Sequence, residues 1–388
     1  MPNAAAKMNL LSDNADDTPP APAVGTGLLP SQTIRELVRH KEIQASIELD
    51  ADQLQPASLD LRLGPTAYRV RASFLPGQSA TVQEKIAQFG RHEIDLTRGA
   101  VLERNCVYIV QLMEWVKLGP RISGVANPKS STGRLDIFVR LITDRAIAFD
   151  RIDAGYEGPL YVEIVPRSFS VLARKGTRLN QLRLRRGSPV FGDATLMRLH
   201  GSVPLIDAQL DRARVREGGI ALTLDLDGEP QTRLVGYRAK KHAAVIDLEK
   251  RAFYEPEEFW DPIFRRDGQP IVLNPDDFYI LATKEAVTIP PDHAAEMVAY
   301  DTMVGEFRVH YAGFFDPGFG FHPEGGGTKA VLEVRSHEVP FILEHEQIIG
   351  WLRYEKLAGK PERLYGQGIG SSYQRQGLTL SKQFKPRA

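Results

Sequence analysis

The chain has 388 residues, 42% of them hydrophobic and 25% charged. That composition is globular, long enough for two or three domains, and excludes a disordered or fibrous protein except at its ends. Lys and Arg number 49 and so do Asp and Glu, so no overall positive field draws the protein to nucleic acid or an anionic membrane.

The single cysteine, Cys106, excludes an internal disulfide framework and any zinc site needing two thiolates. No apolar run approaches the roughly 20 residues that cross a bilayer, and the start of the chain lacks the apolar centre of a secretory signal. A cytoplasmic location is therefore expected.

Residues 1–27, with Asp16-Asp17-Thr18-Pro19-Pro20, have no hydrophobic period and read as a flexible arm. Pro30-Ser31 followed by Ile34, Leu37 and Val38 predicts a short amphipathic helix. In Ser58-Leu59-Asp60-Leu61-Arg62-Leu63-Gly64 the leucines fall on one face and the charges on the other, the pattern of a half-buried strand. Further short strands are expected at Val107 to Val110, Leu160 to Val165 and Leu179 to Leu184. Many short strands with few helices define a mainly β fold, a sandwich or barrel.

The chain also resembles itself. Arg151-Ile152-Asp153-Ala154-Gly155 is answered by Phe314-Phe315-Asp316-Pro317-Gly318, and Leu160-Tyr161-Val162-Glu163-Ile164 by Ala330-Val331-Leu332-Glu333-Val334. From each glutamate the next 19 residues run without a gap, to Leu182 and to Leu352. Two tandem copies of one β unit follow, at 28–200 and 201–388, joined through the polar stretch Asp207 to Gly219. They are unequal. Lys129-Ser130-Ser131-Thr132-Gly133-Arg134 in the first stands against Asp301-Thr302-Met303-Val304-Gly305-Glu306 in the second, and Arg151 against Phe314.

Glu163 shares a strand face with Tyr161 and Val165. Desolvation there would raise its pKa toward the range of a general base, although an edge-strand glutamate facing water has the same spacing. The Lys129 to Arg134 segment offers two cations and three hydroxyls that suit phosphate oxygens, or an ordinary solvated turn. Asp153, among turn glycines, suits a sugar hydroxyl or its own turn. The basic run Arg174, Lys175, Arg178, Arg183, Arg185 and Arg186 lacks interleaved aromatic rings and reads as a solvated face or subunit contact.

Gln55-Pro56-Ala57-Ser58-Leu59-Asp60-Leu61-Arg62-Leu63-Gly64, Lys129 to Arg134, Arg151 to Gly158 and Tyr161-Val162-Glu163 together resemble the dCTP deaminases of the dUTPase-like superfamily. Tyr365 and Tyr373-Gln374-Arg375-Gln376-Gly377-Leu378-Thr379-Leu380-Ser381-Lys382 resemble that family's C-terminal lid, here about residues 360–388 and attached to the second unit. The length is about twice that of the common single-unit enzymes.

The resemblance implies two dUTPase-like distorted β-barrel or jelly-roll units, assembly into trimers, and zinc-independent deamination of dCTP to dUTP; the alternatives are a dUTPase or bifunctional deaminase and diphosphatase, and a non-catalytic nucleotide-binding regulatory protein on the same fold. It implies Glu163 as general base, with Ser130, Arg134 and Arg151 completing the catalytic set. Lys129, Ser130, Ser131, Thr132, Gly133 and Arg134 would bind the nucleotide, with Mg²⁺ carried on its triphosphate. Asp153 would lie at the deoxyribose, Tyr161 and Val162 along the base, and Tyr365 and Gln376 in the lid. Ser372 replaces a lysine usual in the family. The second unit, with Glu306 and Phe314 where cations are expected, would be structural.

Overall fold

The expected half-buried strand over Ser58–Gly64 is the start of a longer one, Ser58–Val70, and both of its faces are covered along that first stretch. Asp60 and Arg62 are buried because Lys129 pairs with Asp60 and Glu114 with Arg62, the latter at 2.8 Å. The chain folds, in this computed structural model, with residues 25–187, 191–299, 307–309, 313–322, 324–336, 338–366 and 377–387 described, side chains excepted at 299 and 307–309. Ser31–Arg39 forms the expected amphipathic helix, burying Ile34 and Leu37. Most of the arm, residues 1–24, lies outside the described residues, while Gly27–Leu28 pairs with Arg185–Arg186.

In the first unit the hydrogen-bonded order is Arg151–Ile152, Ile122–Pro128, Arg178–Arg186, Ser58–Val70, Val107–Lys117, Glu157–Pro166, Ile137–Thr143. The second unit repeats its logic. Ile122–Pro128 lies between Arg151–Ile152 and Arg178–Arg186, just as His293–Ala299 lies between Phe314–Phe315 and Ile348–Lys356. Val107–Lys117 pairs with Glu157–Pro166 so that Glu163 faces Ile109, and Phe278–Val287 pairs with Thr328–Ser336 so that Glu333 faces Ile280. Equivalent residues thus meet equivalent residues, the mark of a duplication that kept strand register.

The units are welded along an apolar seam. Leu234, Tyr237, Trp260 and Phe278 of the second unit bury in the same cluster as Phe169 and Val171 of the first, and the Phe169 and Trp260 rings meet edge-on at 5.4 Å. Leu378, Leu380 and Phe384 of the C-terminal tail join that cluster. Burying each such side chain contributes about 1.5–3 kcal/mol, so the seam fixes the units against each other. The helix Asp193–Ser202 places Leu196 in the core of the second unit.

The basic run is no solvated face at Arg183, which is 1% exposed. It crosses the seam, donating to the carbonyl oxygens of Ala295 at 2.9 Å and Phe315 at 2.8 Å and to Asp316 at 3.0 Å. Among the described residues no helix is long and apolar enough to cross a membrane.

Candidate active site between the two units

A cavity of about 520 Å³ opens on the seam, a size suited to a nucleotide. One wall is the short helical turn Ser130–Gly133, which follows the strand Ile122–Pro128 and ends in Arg134. Its backbone is closed by Gly133 N–H donating to Lys129 O at 3.0 Å and Arg134 N–H donating to Ser130 O at 3.0 Å. Lys129, Ser130, Ser131, Thr132, Gly133 and Arg134 all line the cavity, so the structure brings this part of the expected set together.

The facing wall belongs to the second unit: Phe314, Phe315, Asp316, Phe319, Val331, Leu332 and Glu333. Glu333 comes from the strand Thr328–Ser336 and is 6% exposed. Burial pushes its carboxyl up to about 7, against the opposing pull of the Arg134 guanidinium. A carboxyl poised near neutrality beside a fixed cation is the environment of an acid or base catalyst.

Arg183 locks the turn below it. Its guanidinium stacks 4.0 Å from the centre of the Phe314 ring while bonding Asp316. Burial pushes the Asp316 carboxyl up and Arg183 pulls it down. Gly318, at φ +90°, turns the chain where a Cβ would meet Leu364 at 2.8 Å. This close approach lets Tyr365 N–H reach Pro317 O at 2.8 Å and its ring reach Phe319, and Tyr365 lines the cavity. Gln376, the other expected lid contact, lies outside the described residues.

The tail closes a third side. Ser381 Oγ donates to Ser131 O at 2.7 Å, and an Arg134 nitrogen donates to Thr379 O at 2.8 Å. Lys382 lines the cavity near Lys129, Arg178 and Arg251, and burial with the neighbouring cations pushes its ammonium down to about 8. Of the acids at this end, Asp60 pairs through Oδ2 with Lys129, and Asp52 pairs with Arg178 at 2.9 Å.

Glu163 is elsewhere. It lines a separate cavity of about 430 Å³ with Ser73, Phe138, Arg140 and Arg167. Register places Arg140 directly opposite Glu163 on the neighbouring strand Ile137–Thr143. Arg140 donates to Glu163 Oε1 at 2.6 Å, and its guanidinium lies 3.5 Å from the centre of the Phe149 ring. Within one chain the structure thus separates Glu163 from Ser130 and Arg134. Arg151 and Asp153 are exposed, and Tyr161 and Val162 are buried on the Glu163 strand, so none of the four lines the seam cavity. The physical reason is that the strand Glu157–Pro166 carries Glu163 to a cavity lined by Ser73, Phe138 and Arg140, away from the Ser130–Gly133 turn. The second unit, expected to be structural, supplies a whole wall of the seam cavity.

Sequence reasoning marked Glu333 only as a counterpart of Glu163 and gave Asp316, Lys382 and Arg183 no catalytic place. The signal available was one-sided loss: the second unit keeps Glu333 but has Glu306 and Phe314 where the first has Arg134 and Arg151.

Two family profiles match, described as the N-terminal domain of 2'-deoxycytidine 5'-triphosphate deaminase over residues 25–188 and its C-terminal domain over residues 192–384. The chain belongs to the dCTP deaminase family. Among similar proteins, a "dCTP deaminase, dUMP-forming" of Beutenbergia cavernae is 31% identical over 179 residues, covering 44% of this chain and 90% of that protein. A "dCTP deaminase" of Natronomonas pharaonis is 30% identical, covering 44% of this chain and 90% of that protein. A crystal structure of 2'-deoxycytidine 5'-triphosphate deaminase from Agrobacterium tumefaciens is 53% identical with a TM-score of 0.82, covering 86% of this chain and 99% of that one. The first two are almost wholly matched by less than half of this chain; the Agrobacterium chain matches most of it.

Proposed function

We propose that the seam cavity deaminates dCTP to dUTP and ammonia, with Glu333, and not Glu163, as the general base. The observation that carries this is a buried carboxyl, raised to about 7, across a nucleotide-sized cavity from Ser130 and Arg134. Water attacks C4 of the cytosine ring as the Glu333 carboxylate takes its proton. Arg134 and the Ser130 hydroxyl stabilise the charge of the tetrahedral centre, and the proton held by Glu333 passes to the departing amino group, which leaves as ammonia. Lys129, Lys382 and Arg251 face the triphosphate, and magnesium on its oxygens neutralises the remainder.

The reading is zinc-independent. Among the described residues one group has three metal-capable side chains, Asp225, Asp227 and His345, and it is already served by Lys329 on Asp225 at 2.5 Å and Arg265 on Asp227 at 3.1 Å. A second reading, in which dUTP is cleaved further to dUMP and pyrophosphate, is supported by the similarity to the dUMP-forming deaminase of Beutenbergia cavernae.

Incubating the protein with dCTP and Mg²⁺ and resolving the nucleotides by ion exchange tests both. Ammonia with dUTP is expected, ammonia with dUMP supports the second reading, and an absence of ammonia overturns both. Activity that persists after chelation of zinc and re-addition of Mg²⁺ is expected. The trimeric assembly and cytoplasmic site implied by the resemblance are further proposals, and native mass spectrometry tests the first.

A further inference from the structure

Catalysis across a seam requires that two units of the chain hold their reacting groups in register. We propose that Arg335 and Asp136 are positioning residues, a buried cross-unit clamp that aligns the Glu333 strand with the Ser130–Arg134 turn. The proposal rests on the reading of Glu333 as base.

Arg335 lies two residues beyond Glu333 on the same strand and therefore shares its face. It is 4% exposed, and Asp136 is 1% exposed. The Arg335 guanidinium bonds Asp136 Oδ2 in the first unit, lies 3.4 Å from Ser168 Oγ, and donates to Asp276 O at 2.5 Å in the second unit. One planar cation thus joins both units.

Asp136 is itself fixed to the catalytic turn. Its N–H donates to Gly133 O at 2.8 Å, its backbone turns at φ +56°, and its carboxylate accepts from Ser168 Oγ at 2.6 Å. Its carbonyl accepts from Arg167 N–H at 2.9 Å. The carboxylate therefore reports the position of Ser130 and Arg134, and the guanidinium that of Glu333. A slip of one residue along the strand would break this pair and turn Glu333 to the opposite face.

The first unit lacks the device. Val165 stands two residues beyond Glu163, and Arg140 grips Glu163 directly. Arg335 instead holds the strand, and Arg134 is the cation that acts on the Glu333 carboxyl. A clamp that orients without neutralising the carboxylate is what a base requires.

The test is the double variant Asp136→Asn with Arg335→Met, which removes both charges together and keeps an amide able to adopt a left-handed backbone. With the thermal transition confirming a folded protein, kcat for dCTP is expected to fall about tenfold or more while KM stays within about threefold. Arg335→Lys, which keeps a cation without the planar fork, is expected to recover part of the lost kcat. A folded double variant with wild-type kcat overturns the proposal, as does a fall in thermal midpoint alone. If the double variant does not fold, Arg335→Lys decides alone: kcat equal to wild type overturns the clamp, and a reduced kcat at constant KM supports it. Turnover by Glu333→Gln would overturn the base assignment instead. An inert Glu333→Gln beside an unaffected double variant removes only the clamp.

Discussion

Glu163 and Glu333 occupy the same register position in two copies of one sheet, opposite Ile109 and Ile280 respectively. Their fates differ because of the cation each meets. Glu163 is bonded by Arg140 from the adjacent strand and sits in the first unit's own cavity. Glu333 is held by no salt bridge among the described residues and feels Arg134 across the seam. On the proposed reading, the comparison teaches that a duplicated fold can divide one site between its copies: the first supplies the cationic turn and has its own glutamate paired with Arg140, while the second supplies the unpaired carboxyl.

The largest expected effect separates the two glutamates. Glu333→Gln should lower kcat by about 10² or more with dCTP still bound, the usual weight of a general base. Glu163→Gln should leave kcat within about threefold. Steady-state kinetics on the pair checks both at once, and the reverse ranking would return the chemistry to the first unit.

The pH dependence sharpens the same contrast. The reactive form of Glu333 is deprotonated, so kcat/KM should rise toward a carboxyl at about 7, by about tenfold per pH unit on the acid limb. It should decline above about 8 as Lys382 loses the charge that faces the triphosphate, and Lys382→Met should remove that alkaline limb. Stability carries the opposite sign for Glu333. Because its folded pKa is raised from 4.5, the group favours folding fully below about 4.5, and that contribution is lost as pH rises through about 7. Glu333→Gln should therefore melt above wild type at pH 8, with a gain of at most on the order of 3 kcal/mol, and the gain should vanish at pH 4.

Much of this was legible in the amino-acid order. The period-two strands, the duplication and the contiguous Lys129 to Arg134 turn are local or self-similar features, and the fold repeats them. The pairing of the turn with Glu333 was not legible, because 199 residues separate Arg134 from Glu333 and the contact depends on how two sheets pack along Phe169, Trp260 and Phe278. Arg140 was missed for a related reason: 23 residues separate it from Glu163, and only strand register sets them face to face. Arg183 looked like one member of a solvated run. Its burial follows from the Asp316 turn of the other unit, which no local pattern announces.

The smallest expected effect falls on Arg151, the counterpart of Phe314. Arg151 is exposed on the short strand Arg151–Ile152, outside the seam cavity, and Asp153 beside it is exposed as well. Phe314, in the equivalent place, packs against Arg183 and faces the seam cavity. If the site is confined to the seam of one chain, Arg151→Ala is an ordinary surface change, with kcat/KM within about twofold and stability within about 0.5 kcal/mol of wild type. A loss of about a hundredfold would mean that the first unit's Arg151 and Glu163 enter a site completed by another chain. A titration of binding stoichiometry would then give two nucleotides per chain where the divided site gives one.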